Sequence, residues 1–261
     1  MRSINLDELK SIQLDILQNV ADFCEVHNIT YFLAYGTLIG AIRHNGYIPW
    51  DDDIDIAMPR PDYDKFVATY NANLSYLKVV DMTIDDHYGF PFAKVYDSRT
   101  IMNEDQYRKD VFGVFVDVFP IDGISDKKQM KRSIFLNKLL NTKKANFTHR
   151  SYKKQVEIFL GKIVLLPFSS RFILRLLDDN ARKYAFGKTE KAAYVSASYV
   201  IQGIVESSVF EETLLHEFEG KMFRIPKGYD QWLRTIYGDY LKLPPEEKRV
   251  PQHIFEAWWK E

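Results

Sequence analysis

The stretch GYIPWDDDIDIAMPR, residues 46–60, places Asp51, Asp52, Asp53 and Asp55 within five positions. Two carboxylates about 4 Å apart repel by about 1 kcal/mol in water, and by about 4 kcal/mol at the effective dielectric near a protein surface. In an extended strand, residues two apart share a face. A strand over 53–58 is therefore expected to aim Asp53 and Asp55 the same way, with Ile54 and Ile56 anchoring its other side in the core. Carboxylates fixed together suit a hard divalent cation. Mg2+ takes oxygen ligands, typically one or two carboxylates with substrate phosphates and water, and Mn2+ shares that preference. A solvated acidic face fits less well, because the acids alternate with isoleucine behind Trp50. An EF-hand loop fits Asp51, Asp53 and Asp55 but then fails: Ile56 stands where that loop needs glycine, and Asp62 where it prefers glutamate.

Upstream lies YGTLIGAIRHNG, in which Gly36 follows an apolar run and Thr37 is expected to open a helix. Free backbone N–H groups at such a turn, reinforced by the helix dipole, attract phosphate, and glycine allows close approach. A strand, a Gly-Thr turn, a helix and then Asp-x-Asp on a neighbouring strand form the core arrangement of nucleotidyltransferase-type enzymes, where a third acid from a later strand completes the metal site. Asp117, in GVFVDVFP, is the candidate: it sits among apolar residues near a strand end, where a lone carboxylate without a partner would be costly.

These residues need elements to hold them. Residues 5–27 read as an amphipathic helix, capped by Asn5 with Glu8 closing the box. YFLAYG (31–36) reads as a buried strand, TLIGAIR (37–43) as a helix and PDYDKFVATYN (61–71) as another. Strand-like runs follow at 76–80, 90–96 and 111–119. Residues 127–186 read as helical, 192–225 as mixed, KMFRIP (221–226) as a strand, and 229–238 as a last helix stopped by Gly238. The expected fold class is α/β (α+β): a nucleotidyltransferase-like mixed sheet flanked by helices. The catalytic core is assigned to 1–126, and a mainly helical region at 127–261 is expected to complete the donor and acceptor site.

The 261 residues carry 35 Lys and Arg against 36 Asp and Glu, so no bulk positive charge points to nucleic acid. The single cysteine, Cys24, reads as a buried structural thiol. MRSINLDELK lacks the apolar stretch of a signal peptide, and no apolar run is long enough to span a bilayer. The expected location is cytoplasmic, at the inner face of the membrane.

Three blocks, YGTLIGAIRHNGYIPWDDDIDIAMPRPDYDKF, GVFVDVFPIDG and IYGDYLKLPPEEKRVPQH, resemble the LicD family of phosphotransferases, with fukutin and fukutin-related protein as distant eukaryotic relatives. The resemblance implies transfer of a phospho-substituent, such as phosphocholine, from a CDP-linked donor to a hydroxyl of a glycan, teichoic acid or lipopolysaccharide precursor, with release of CMP. It implies metal binding by Asp53, Asp55 and Asp117, with Asp51 first in the D-x-D-x-D spacing. Gly36 and Thr37 would cradle the donor phosphates, and Arg43 and Lys94 are further phosphate candidates. Asp51, Asp52 or Asp117 could serve as general base; His44 and His253 are weaker candidates. Asp52 is otherwise expected to be solvated or hydrogen-bonded locally. Choline is a quaternary ammonium suited to an aromatic cage, which 16 Tyr and 18 Phe permit without locating. Tyr237, Asp239 and Tyr240, with two prolines after them, suggest a loop over the site.

Residues 127–162 hold eleven basic residues against one acid, Glu157, and IFLGKIVLLPFSSRFILRLL (158–177) follows. The apolar run is expected to be a core helix broken at Pro167. The basic stretch is expected to touch an anionic glycan or lipid-linked acceptor or, as a peripheral contact through 127–177, the membrane surface. Two competing functions make different predictions: a nucleotidyltransferase releases pyrophosphate, and a non-catalytic scaffold of envelope assembly binds cations without turnover.

Overall fold

The computed structural model describes residues 1–72, 76–103, 112–145, 147, 151–196, 203–250 and 256–260. In chain order the elements are β1 (Arg2–Ser3), α1 (Leu6–His27), β2 (Phe32–Leu33), α2 (Tyr35–His44), β3 (Asp55–Pro59), α3 (Arg60–Thr69), β4 (Leu77–Val80), β5 (Ala93–Asp97), β6 (Thr100–Asn103), β7 (Phe115–Ile124), α4 (Lys127–Lys144), α5 (Tyr152–Val164), α6 (Ser170–Ala181), β8 (Lys191–Ala193), β9 (Val205–Glu206), β10 (Thr213–Phe218), β11 (Lys221–Pro226), α7 (Tyr229–Tyr237) and β12 (Glu256–Trp259). The result is the expected mixed α/β fold. Strands β8, β9, β10 and β12 lie in the region read as mainly helical.

The main sheet runs β2-β3-β7-β5-β4, with β8 pairing β7 and β9 pairing β8. Among the described residues, only the β3–β7 pairing within it is parallel. Alternation splits the sheet into two faces. Ile56, Val116, Val118 and Val95 share the apolar face, and all four are fully buried. Helix α1 packs along β5 and β7, and its Gln13 amide donates to the Phe115 carbonyl at 3.4 Å. The main core draws on both sides of residue 126, from Leu9 and Val118 to Phe210, Phe223 and Trp232. A second sheet, β1-β12-β6, joins the two ends of the chain to a central strand, and β10–β11 forms a hairpin.

Local chemistry explains the helix ends. Asn5 Oδ1 accepts the Glu8 N–H at 2.9 Å and caps α1. The Glu8 carboxylate does not close the box; it binds Arg2 (2.6 Å) and the Trp259 indole N–H (2.9 Å). Asp126 caps α4 through the N–H groups of Lys128 and Gln129. Gly238 ends α7 with φ of 71°, a conformation that glycine adopts without strain. Cys24 is fully buried, and that burial pushes its thiol pKa far up, as befits an inert structural cysteine.

Three expectations change. Strand β3 begins at Asp55 rather than at residue 53, so Asp53 precedes the strand instead of sharing its face. The run 31–36 is a strand only at Phe32–Leu33, because α2 already starts at Tyr35; Gly36 and Thr37 therefore lie inside its first turn. The apolar stretch 158–177 is not one buried core helix. Its second half, α6, buries Ile173, Leu174 and Leu177, whereas α5 buries only Ile158.

Candidate active site

The polar face of the main sheet carries the chemistry. The β3–β7 register sets Asp55 opposite Asp117, and β5–β7 sets Lys94 opposite Asp117. Three charged side chains thus form a row across neighbouring strands. One step along, the register places Ala57 opposite Phe119, and the Phe92 and Phe119 rings lie 4.5 Å apart. A charged row beside an aromatic row follows from the two-residue repeat of VFVDVFP and FPFAK. Sequence reasoning named Asp117 and Lys94 but missed Phe92 and Phe119. The signal was present, since each lies two residues from a charged site residue, Phe119 on the same strand as Asp117 and Phe92 just before the strand that carries Lys94.

The acid run that enters β3 is clamped on two sides. The β10–β11 turn holds residues 45–47: Glu219 N–H donates to the Asn45 carbonyl (2.9 Å) and the Glu219 carboxylate accepts the Tyr47 N–H (2.9 Å). From α1, the Gln13 amide donates to the Asp52 carbonyl at 3.0 Å. Asp51 N–H closes a turn on the Ile48 carbonyl at 2.8 Å. Among the described residues, Asp51, Asp52 and Asp53 form the group in which one carboxylate oxygen from each lies within 4.8 Å of the others. Asp52, expected to be solvated or hydrogen-bonded locally, is 4% exposed and so not solvated: the turn that gathers its neighbours tucks it inward.

Electrostatics converge on Asp55. Burial pushes its carboxyl well above the ordinary range, and the charges of Asp53, Asp117 and Asp51 push it the same way against Lys94. The carboxylates gathered closely enough for one oxygen-seeking divalent cation are those of Asp51, Asp52 and Asp53; the expected set Asp53, Asp55 and Asp117 does not form such a group among the described residues, and Asp117 meets Asp55 through the β3–β7 register.

The phosphate-binding candidates have distinct placements. Gly36 lies beneath Asp51: a Cβ at residue 36 would stand 2.8 Å from Asp51 Oδ2. The Thr37 hydroxyl accepts the Asp55 N–H at 2.8 Å and is 3% exposed, so it positions the start of β3. Ala34 gives α2 no side-chain cap, and the first-turn N–H groups of a helix have no intrahelical acceptor. Lys94 is 2% exposed; its ammonium donates to Asp117 Oδ1 at 2.6 Å and sits 3.2 Å from the Phe115 ring centroid. It orients Asp117. Arg43, in the last turn of α2, donates to the Tyr240 carbonyl at 2.7 Å and to His44 Nε2 at 2.9 Å. Burial and the Arg43 charge lower the His44 pKa. His253 lies outside the described residues.

That Arg43 bond ties the 238–250 loop to α2. Arg249 stands over Trp50, 5.9 Å from its centroid. At the end of α7, Tyr237 is 45% exposed, yet the protein around its phenol raises its pKa, helped by Asp55, Asp51 and Asp53. The loop therefore borders the acids. Tyr35, which sequence reasoning also missed, has φ of 46°, a left-handed conformation unfavourable for an aromatic residue. Its ring packs on Phe119 (5.2 Å) and Trp232 (5.4 Å), and Phe119 also meets Tyr194 at 5.1 Å. An aromatic wall formed by Phe92, Phe119, Tyr35 and Tyr194 thus adjoins the charged row.

Gly36→Ala tests the link between the α2 turn and the acids. The added methyl meets the Asp51 carboxylate, not backbone. The variant is expected to fold, with a thermal midpoint within a few degrees of wild type. Its turnover should fall by about tenfold to a hundredfold, as small misplacements of reacting groups do. Steady-state kinetics beside thermal melting would separate the two effects.

Residues 28–169 match the family described as LicD/FKTN/FKRP, nucleotidyltransferase domain. The whole chain is similar to the lipopolysaccharide cholinephosphotransferase LicD of Haemophilus influenzae, with 31% identity over 265 residues that cover 99% of each protein. A shorter similarity, 35% over 63 residues, covers 24% of this chain and 20% of an uncharacterised protein of Rickettsia typhi.

Proposed function

Because the chain belongs to the LicD/FKTN/FKRP family, we propose that it is a phosphotransferase moving phosphocholine from CDP-choline to a hydroxyl of a lipopolysaccharide or related cell-surface glycan. The full-length similarity to a lipopolysaccharide cholinephosphotransferase supports the transferred group and the acceptor class. The observation that carries the chemistry is the Asp55–Asp117 pairing across β3 and β7 beside the α2 turn, with like charges crowding Asp55.

In the reaction, the acceptor oxygen attacks the phosphorus that bears choline. A new P–O bond forms, the P–O bond to CMP breaks, and CMP leaves with the electron pair. A divalent cation held by Asp53, Asp55 and Asp117, magnesium or manganese, would neutralise charge on the diphosphate. Lys94 holds Asp117 in place for this role. Asp51, whose carboxylate lies over Gly36 in the first turn of α2, would take the proton of the attacking hydroxyl. Phe92, Phe119, Tyr35 and Tyr194 offer ring faces of the kind that attract quaternary ammonium.

The test supplies the purified protein with Mg2+, a glycan acceptor and a panel of CDP-choline, CDP-ribitol and CTP, and reads the nucleotide product. Acceptor-dependent CMP from CDP-choline is expected. Pyrophosphate from CTP would make the protein a nucleotidyltransferase, and cation binding without turnover of any donor would make it a scaffold; either result overturns the proposal.

A further inference from the structure

Among the described residues, no helix is long and apolar enough to cross a membrane. Helix α5 nevertheless presents an apolar stripe to solvent. Val156, Phe159, Leu160, Ile163 and Val164 recur at the spacing of one helical face, the pattern that ordinarily faces a core. Here all five are exposed, and Phe159 and Val164 are 55% and 71% accessible. The turn after the helix continues the surface with Leu166 and Phe168. An open groove of about 760 Å³ runs between α4 and α5, lined by Phe135, Leu139, Ile158 and Val164 among others. This exceeds the scattered apolar exposure usual on a soluble surface.

The charge around the stripe identifies its occupant. Residues 127–162 carry eleven basic side chains and one acid, and that acid, Glu157, is paired with Lys154 at 3.0 Å. A second copy of this face would set one basic cluster against another. An anionic lipid surface instead offers opposite charge to the lysines and hydrocarbon to the stripe, the two signals that together hold a protein at an interface. We propose that α5 and residues 165–168 lie in the interfacial layer of an anionic membrane, apolar stripe inward and flanking lysines among the headgroups.

The placement also connects with the site. Helix α4, on which α5 packs, ends where Lys144 donates to the Gly89 carbonyl at 2.6 Å and approaches the Phe90 ring at 5.4 Å. Phe90 contacts Phe92 at 5.3 Å, and Phe92 contacts Phe119. Docking through α5 therefore holds the aromatic wall close to the membrane, where a lipid-linked glycan would present its hydroxyl. That acceptor rests on the proposed function; the docking does not.

The test is flotation of the full chain with vesicles of phosphatidylcholine alone and of phosphatidylcholine mixed equally with phosphatidylglycerol. The protein should float with the mixed vesicles, stay behind with the neutral ones, and be released by high salt, because exposed charges are screened. Phe159→Glu with Val164→Glu changes only exposed positions and should cut vesicle binding by at least about tenfold, while CMP release from a soluble donor and acceptor stays at the wild-type level. Absence of flotation on mixed vesicles would overturn the proposal, as would undiminished flotation of the double variant. So would a concentration-dependent dimer that the double variant abolishes in a protein that binds no vesicles. Flotation without CMP release would leave the docking intact and remove only the transferase reading.

Discussion

Asp55→Asn is expected to lose the proposed phosphocholine transfer by at least about a thousandfold, the scale on which removing a group that supports transition-state charge acts, and to keep the fold. The backbone at residue 55 is held independently of its side chain: its N–H is bound by Thr37 and its carbonyl accepts the Ala34 N–H at 2.9 Å. Stability should move opposite to activity. Burial and three neighbouring acids raise the Asp55 pKa above its unfolded value. The folded state therefore binds the proton more tightly, and ionisation of Asp55 costs stability increasingly as pH rises through the carboxylate range. Asparagine removes that cost. Without added metal, the variant should melt at or above the wild-type temperature at neutral pH, and the difference should shrink on acidification. Loss of activity with a raised melting point marks a residue retained for function at the expense of stability. Wild-type turnover, or an unfolded variant, would contradict this.

Arg60→Met should produce the largest loss of stability. Arg60 opens α3 and forms a fork with Asp122 near the end of β7: Nε to Oδ1 at 2.6 Å and Nη2 to Oδ2 at 2.7 Å. A longer contact, 3.4 Å from Nη1, reaches Asp178 on α6. The Asp122 side chain is 1% exposed, and burial raises its pKa despite the arginine beside it. Breaking such a pair leaves an uncompensated buried charge and costs about 3–5 kcal/mol. Urea denaturation should show the unfolding free energy falling by that amount, as a lower midpoint with the slope unchanged. Arg60→Met combined with Asp122→Leu should recover most of the loss, because the penalty lies in the orphaned carboxylate. No recovery would mean that Arg60 acts through packing instead.

The sequence made legible whatever is encoded locally. The spacing of Leu6, Leu9, Ile16, Val20 and Cys24 marks α1, with Asn5 as its cap, although Leu6, in the first turn, is exposed. Asp117, flanked by valines and followed by proline, stands out as an acid in an apolar strand. The alternation of Asp55 with Ile54 and Ile56 assigns its face correctly. Partners brought together by tertiary structure were hidden. Nothing in the local sequence says that β3 runs parallel to β7 with Asp55 opposite Asp117, or that Lys94 pairs with that acid. Asp53 and Asp55 were read on one strand face, but the turn closed by Asp51 N–H and the Gln13 bond to Asp52 delay the strand until Asp55. Strands β1 and β12 escaped because short runs gain their ladder from distant chain segments. The stripe on α5 was read as core because its period is the same whether the face meets protein or lipid; only its surroundings separate the two cases.

The most direct measurement is Mn2+ binding to wild type and to Asp55→Asn, followed by the electron paramagnetic resonance of the free ion. One ion should bind per wild-type chain, should be displaced by Mg2+, and should bind at least about a hundredfold more weakly to Asp55→Asn, as loss of a ligating carboxylate requires. Equal stoichiometry and affinity in the two proteins would contradict a metal site at Asp55, and with it the proposed chemistry.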